Sequence, residues 1–238
     1  MGRNAFFRFK QFTVNQDACA MKVTTEACLF GAWCARQLQA IQPATVLDIG
    51  TGTGVLALMI AQKIAANILA VELDASAAGQ AAQNFEQSPF ADRLQLICTD
   101  VQQMPTAMHA AIVCNPPFYK RQLQSPTWGR NVAMHSTTLT LENLLRTVDQ
   151  LLHTTGHLFL LLPYHRKTEL LQALRAYSLY PSTLVSVKPT AQKPPFRIMM
   201  AAERTHKSMT EEQLTIKQKN GSYTQAFVQL LQPYYLNL

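Results

Sequence analysis

From residue 44 onward the chain alternates short apolar runs with longer stretches of helical periodicity, and few architectures can absorb that order. Residues 44–49 (ATVLDI), 68–73 (ILAVEL), 94–98 and 110–114 are strand candidates, with helices expected over 55–64 and 75–87. A long loop follows, then a helix over 139–153, a strand over 157–162 (HLFLLL), a helix over 165–177, and strands near 183–188 and 198–203. Strands this continuously apolar must be covered on both faces, so the expected fold class is α/β, a doubly wound and mostly parallel sheet of about seven strands. The last two strands have no helix between them, which points to an antiparallel strand at the sheet edge. A sheet of this kind binds ligands at the carboxyl ends of its strands.

The 238 residues are 48% hydrophobic, enough for one large core, and no linker, repeat or low-complexity tract divides them. The expected organisation is a single domain over residues 1–238, opened by an extension of 40 residues. Five cysteines (Cys19, Cys28, Cys34, Cys98 and Cys114) form no CxxC pair, so reduced thiols are expected rather than disulfides or a metal site. No signal-like or membrane-length apolar run is found, and a cytoplasmic protein is expected, with no membrane partner. The net charge of +7 is uneven: residues 41–115 hold six acids and two bases, while the flanks on both sides are basic. That pattern suits a small polar ligand at the centre and a polyanion across the outside.

The loop after the first of these strands reads Asp48-Ile49-Gly50-Thr51-Gly52-Thr53-Gly54. Alternate glycines let the backbone turn sharply and approach a ligand, and the next helix offers free N–H groups to an anionic group such as a carboxylate. Glu72 ends the next strand, 22 residues after Gly50, where a carboxylate can accept both hydroxyls of a ribose. Asp100 follows the third strand, within reach of an adenine amino group. A nicotinamide dinucleotide site would need Gly or Ala at position 55, where this chain has Val55, a β-branched residue that would crowd the helix–strand contact. The G-x-G-x-G spacing instead resembles motif I of the class I methyltransferases, which implies S-adenosylmethionine as cofactor and a Rossmann-like fold.

Asn115-Pro116-Pro117-Phe118 directly follows the fourth strand, where the active site of such a fold opens. The lone pair of a planar amino nitrogen is delocalised and a poor nucleophile. If the Asn115 side-chain oxygen and the Pro116 carbonyl accept its two hydrogens, the lone pair turns toward an incoming methyl. The prolines fix these acceptors in advance, and Phe118 can stack on the planar group. The motif resembles the [D/N/S]-P-P-[Y/F/W] signature of the amino-methyltransferases, shared by adenine-N6, cytosine-N4, guanine-N2 and glutamine-N5 enzymes.

Most of the chain further resembles the bacterial tRNA1(Val) adenine-N6 methyltransferase family. Phe9-Lys10-Gln11-Phe12, Gln16-Asp17 and the run from Met21-Lys22-Val23-Thr24-Thr25-Glu26 to Gly31-Ala32-Trp33 carry that likeness, as do Lys193-Pro194-Pro195-Phe196-Arg197 and the ending through Pro233-Tyr234-Tyr235-Leu236. The resemblance implies methylation of the adenosine 3′ of the anticodon, with the tRNA anticodon arm as partner and the protein a monomer. It assigns Lys22 and Thr25 to the cofactor, beside Asp48, Gly50, Thr51, Gly52, Gly54, Glu72, Leu73, Asp100 and Asn115. Read without the family, residues 21–33 are an amphipathic helix whose Leu29 and Trp33 face the core. Met134 stands where the family usually has arginine, next to His135. RNA contacts are expected from Arg8, Lys10, Lys120, Arg121, His135, Lys193 and Arg197, with Arg3, Arg130 and Lys188 adding charge and Phe6, Phe7 and Phe9 offering stacking surfaces. Two other functions fit the same motifs: glutamine-N5 methylation of release factors, and a non-catalytic RNA-binding module of the same fold.

Overall fold

The computed structural model describes residues 5–116 and 139–238. A short antiparallel hairpin, β1 (Phe6–Arg8) and β2 (Thr13–Asn15), precedes helix α1 (Thr25–Ile41). The α/β alternation then runs β3 (Thr45–Ile49), α2 (Val55–Ala61), β4 (Asn67–Glu72), α3 (Ala75–Glu86), β5 (Leu94–Cys98) and β6 (His109–Cys114). After the break come α4 (Leu141–Leu151), β7 (Leu152–Pro163), α5 (Lys167–Arg175), β8 (Tyr180–Thr190), β9 (Arg197–Glu203), β10 (Thr210–Lys217) and α6 (Gln225–Leu231).

Strands β3 to β10 form one eight-stranded sheet in the order β10-β8-β9-β7-β6-β3-β4-β5. All pairings are parallel except those of β9, which runs against both β7 and β8. This is the doubly wound, mostly parallel α/β arrangement expected. It carries one strand more, since β10 adds in parallel to β8 and forms the rim, so the reversed strand lies inside the sheet rather than at its edge.

Local chemistry sets the helix starts. Thr24, Asp74, Thr140 and Thr224 each accept a backbone N–H from the first turn of α1, α3, α4 and α6, satisfying donors that a helix end otherwise leaves unpaired. Every residue of α2 is buried, because that helix is enclosed by the sheet on one side and α1 on the other. Along β7 the side chains alternate: Phe159 and Leu161 join the core under α1, α2 and α6, while Leu158, Leu160 and Leu162 join the one under α4 and α5. Leu29 and Trp33 of α1 are core residues, as their helical spacing predicts, and Trp33 stacks on Phe30 and meets the ring of Phe159 edge-on.

Phe7 and Phe9 are not free to stack on RNA bases, a correction to the sequence-based expectation. Phe9 is buried and Phe7 half-buried, in a cluster with Phe12 and Tyr235 that fastens the hairpin to the carboxyl-terminal tail. Phe6 remains exposed. All five cysteines are free thiols. Among the described residues no helix is long and apolar enough to cross a membrane, and no group of three or more His, Cys, Asp or Glu is placed to hold a metal.

Replacing Trp33 with Ala empties the centre of the core under α1. Equilibrium denaturation is expected to show a loss of about 3–5 kcal/mol.

Candidate active site

The parallel register brings the predicted motifs to one edge of the sheet. Ile49 is level with Val71 and with Cys114, and Glu72 with Cys98. The glycine loop, Glu72, Asp100 and Asn115 therefore leave the carboxyl ends of four neighbouring strands, about 4.8 Å apart from one strand to the next.

The loop turns through three glycines with positive φ: Gly50 at 68°, Gly52 at 57° and Gly54 at 81°. Its start is held by Gly50 and Thr51, whose N–H groups both donate to the Val71 carbonyl, at 2.8 and 3.1 Å. At Gly54 a side chain is excluded twice, by conformation and because a Cβ would lie 2.5 Å from the Phe85 ring. Beside Gly50 and Gly52 the case differs: a Cβ there would meet nothing within 4 Å. That open space, at the N-terminal end of α2, fits a ligand lying against bare backbone.

Asp48 is fully buried beneath this turn. Its Oδ2 accepts the Thr51 hydroxyl at 2.6 Å, while Oδ1 has no partner at hydrogen-bonding distance among the described residues. Burial pushes its carboxyl up to about 7, against the opposing pull of the Thr51 hydroxyl and the Ala57 N–H. The Glu72 carboxylate is already well supplied with donors. Oε2 accepts Gly52 N–H at 2.9 Å, and Oε1 accepts the N–H groups of Leu73 and Asp74 at 2.9 and 3.0 Å. Three backbone donors hold the carboxylate in place, and each oxygen keeps a share of its acceptor capacity for hydroxyls. Leu73, next along, is an exposed apolar side chain at the rim. Asp100 is half-buried and caps the short turn Val101–Gln103, its Oδ1 accepting Gln102 N–H at 2.9 Å.

Asn115 emerges half-buried from β6, directly after Cys114, which is level with Ile49 of β3, and Pro116 behind it is buried. Pro117 and Phe118 lie outside the described residues, as do Lys120, Arg121, Arg130, Met134 and His135. Lys22 donates from Nζ to the Gln16 carbonyl, and Gln16 in turn accepts Val23 N–H through its side chain at 2.7 Å. Thr25 opens α1. Of the expected RNA contacts, Arg8 and Lys193 are exposed, and Lys10 reaches the Gln232 carbonyl at 2.6 Å. Arg197 instead meets Glu26 at 2.8 Å and lies over the Phe196 ring at 5.5 Å.

Sequence reasoning missed Asn84. This fully buried amide accepts Asn15 N–H at 2.9 Å and donates to the carbonyls of Asn15 and Thr53, at 2.8 and 2.9 Å. It ties the hairpin to the glycine loop. The available signal was Gln80 and Asn84 at helical spacing on the same buried face of an otherwise alanine-rich helix.

Residues 33–177 match the family model of the methyltransferase small domain. The chain is 39% identical to a tRNA1(Val) (adenine(37)-N6)-methyltransferase of Dyadobacter fermentans, over 99% of both chains. Proteins of that description from Photobacterium profundum and Parabacteroides distasonis are 38% and 36% identical, over 98% and 99% of each chain. In fold, it superposes on a predicted O-methyltransferase of Agrobacterium tumefaciens with a TM-score of 0.67 at 16% identity, covering 89% of this chain and 99% of that one. A ribosomal protein L11 methylase of Lactobacillus delbrueckii gives 0.55 at 20% identity, covering 77% and 79%.

The raised Asp48 carboxyl has a measurable consequence. The native state keeps a proton that the unfolded chain releases near its ordinary carboxylate value, so this group's stabilisation is full below about pH 4 and is lost as pH rises through about 7. Thermal melts of Asp48→Asn are expected to lose that share of the pH dependence and to gain Tm relative to the parent above pH 7.

Proposed function

The chain belongs to the methyltransferase small domain family, and we propose that it transfers a methyl group from S-adenosylmethionine to N6 of adenosine 37, 3′ of the anticodon, in tRNA1(Val). The observation that carries this reading is full-length similarity to proteins named for that reaction, joined to an Asn-Pro-Pro-Phe sequence that leaves β6 beside the glycine turn. Glutamine-N5 methylation and a non-catalytic RNA-binding role are not favoured, since eight relatives at 35–39% identity over nearly the whole chain carry the tRNA adenine-N6 name.

The cofactor fits the residues present. The bare backbone at Gly50 and Gly52 leaves room for its methionine part, with Thr51 and Gly54 shaping the turn and Asp48 beneath. Glu72 is set to accept ribose hydroxyls, Leu73 to cover a face of the adenine, and Asp100 to accept the adenine amino group. Lys22, held by the Gln16 carbonyl, and Thr25, at the start of α1, serve the cofactor from the N-terminal segment. When bound, S-adenosylmethionine supplies an electrophilic methyl on a sulfonium sulfur.

The chain's own residues then prepare the nucleophile. The Asn115 side-chain oxygen and the Pro116 carbonyl accept the two hydrogens of the adenine amino group, which frees its lone pair for in-line attack. Proline fixes φ at residue 116, so these acceptors need no reorganisation during the reaction. No strong base is required, because the nitrogen's proton becomes acidic only as the methyl arrives. Phe118 serves as the stacking surface, and Lys120, Arg121 and His135 serve as RNA contacts. Arg8, Lys10 and Lys193 contribute phosphate contacts. The enzyme works as one domain over residues 1–238, as a cytoplasmic monomer whose first 40 residues serve cofactor and RNA.

Asn115→Ala is expected to slow methylation of tRNA(Val) by about 10²–10³ while leaving cofactor affinity nearly unchanged, as when a preorganised polar contact is removed. Mass spectrometry of nucleosides digested from treated tRNA gives the rate, and calorimetry gives the affinity. Normal methylation by the variant would refute the assigned chemistry, and methylation of a release-factor peptide instead of tRNA would move the substrate.

A further inference from the structure

The N-terminal segment between the hairpin and α1 passes beside the cofactor residues and is fastened to α3 along its course. Asn15 exchanges hydrogen bonds with Asn84, Ala18 N–H donates to Gln80 at 3.0 Å, and the Ser76 hydroxyl donates to the Ala18 carbonyl at 3.3 Å. Its path runs close to the ribose-side carboxylate. The buried Cys19 thiol is raised to about 11 by burial first and then by the Glu72 charge, with Lys22 opposing.

The far end of the segment is fastened differently. Glu26, in the first turn of α1, binds Arg197 across 171 residues of sequence, with Oε1 and Nη2 2.8 Å apart. Arg197 is well placed as an anchor. It opens β9 opposite Pro163, at the end of the sheet where Asn115 emerges, and its guanidinium lies over Phe196. Phe196 is locked by its own backbone: its N–H donates to Val187 and its carbonyl accepts Tyr164 N–H, both at 3.0 Å. The two charged side chains are only about one-third exposed, at 32% and 27%, so solvent does not fully screen them.

We propose that the Glu26–Arg197 pair pins residues 15–26 across the cofactor site, and that Arg197 serves methyl transfer as a positioning residue acting through Glu26, not as a phosphate contact. This rests on the methyltransferase reading above and replaces the direct RNA role expected for Arg197 from sequence. One Nη of Arg197 is engaged by Glu26 and the other donates to the Phe196 carbonyl at 3.4 Å, and breaking the ion pair to reach a phosphate would leave Glu26 facing the same RNA.

The test is a charge exchange on the full chain. Arg197→Glu and Glu26→Arg, each alone, place like charges together and are expected to weaken S-adenosylmethionine binding about tenfold by calorimetry. The double exchange E26R/R197E is expected to recover most of that loss. For Arg197→Ala, the salt dependence of tRNA affinity is expected to match the parent, whereas a lost phosphate contact lowers the slope by about one. Unchanged cofactor affinity in the single variants would overturn the proposal, as would a double exchange that rescues nothing together with a reduced salt slope. The calorimetric arm contains no RNA, so its outcome is independent of whether tRNA(Val) is the substrate.

Discussion

The site depends on one backbone event, the left-handed turn between β3 and α2. Three positive-φ glycines reverse the chain within a few residues, and the N–H groups at its start are taken by the Val71 carbonyl of the neighbouring strand. The turn thereby sits over the ends of β3 and β4 rather than on one strand. Glu72 completes the arrangement by accepting Gly52 N–H, so the carboxylate proposed for the ribose also braces the loop proposed for the methionine part. The glycine turn and the end of β4 are coupled through a single carboxylate.

Much of this was legible in the sequence because it is written in short-range patterns. Continuous apolar runs located β3 to β9, and the spacing of glycines, Glu72, Asp100 and Asn115 located the edge where they meet. What escaped was either polar or distant. Strand β10 reads as a solvated segment, Thr-Glu-Glu-Gln at its start, because only Leu214 and Ile216 are buried. The helix expected over 139–153 ends at Leu151, since the residues after it already belong to the long strand β7. Glu26 and Arg197 stand 171 positions apart, and nothing local to either announces the other. The aromatic residues near the N-terminus misled for the opposite reason. Basic and aromatic residues in alternation suit RNA, but they equally suit a hairpin that buries one face, and the partner that decides between these, Tyr235, lies near the far end of the chain.

The same long-range ties explain how the N-terminal segment can contribute to a site built on strands that follow it. Asn84 reaches both the hairpin and the glycine loop, Gln80 holds Ala18, and the tail returns through Tyr234, whose hydroxyl donates to the Met59 carbonyl of α2. Buried amides are well suited to this. They carry donors and acceptors without the desolvation cost of a charge, and they fix position because an unmet bond is expensive in the interior.

Strand β10 holds none of the residues assigned to the cofactor, yet it determines what one border of the sheet offers to other chains. An unpaired strand is a template for intermolecular β-pairing. Here the border is polar over most of its length, with Glu211 and Glu212 side by side and Lys217 at its end. A strand laid along it would have to desolvate a carboxylate on each face of the sheet with little gain in apolar contact, which disfavours edge-to-edge pairing.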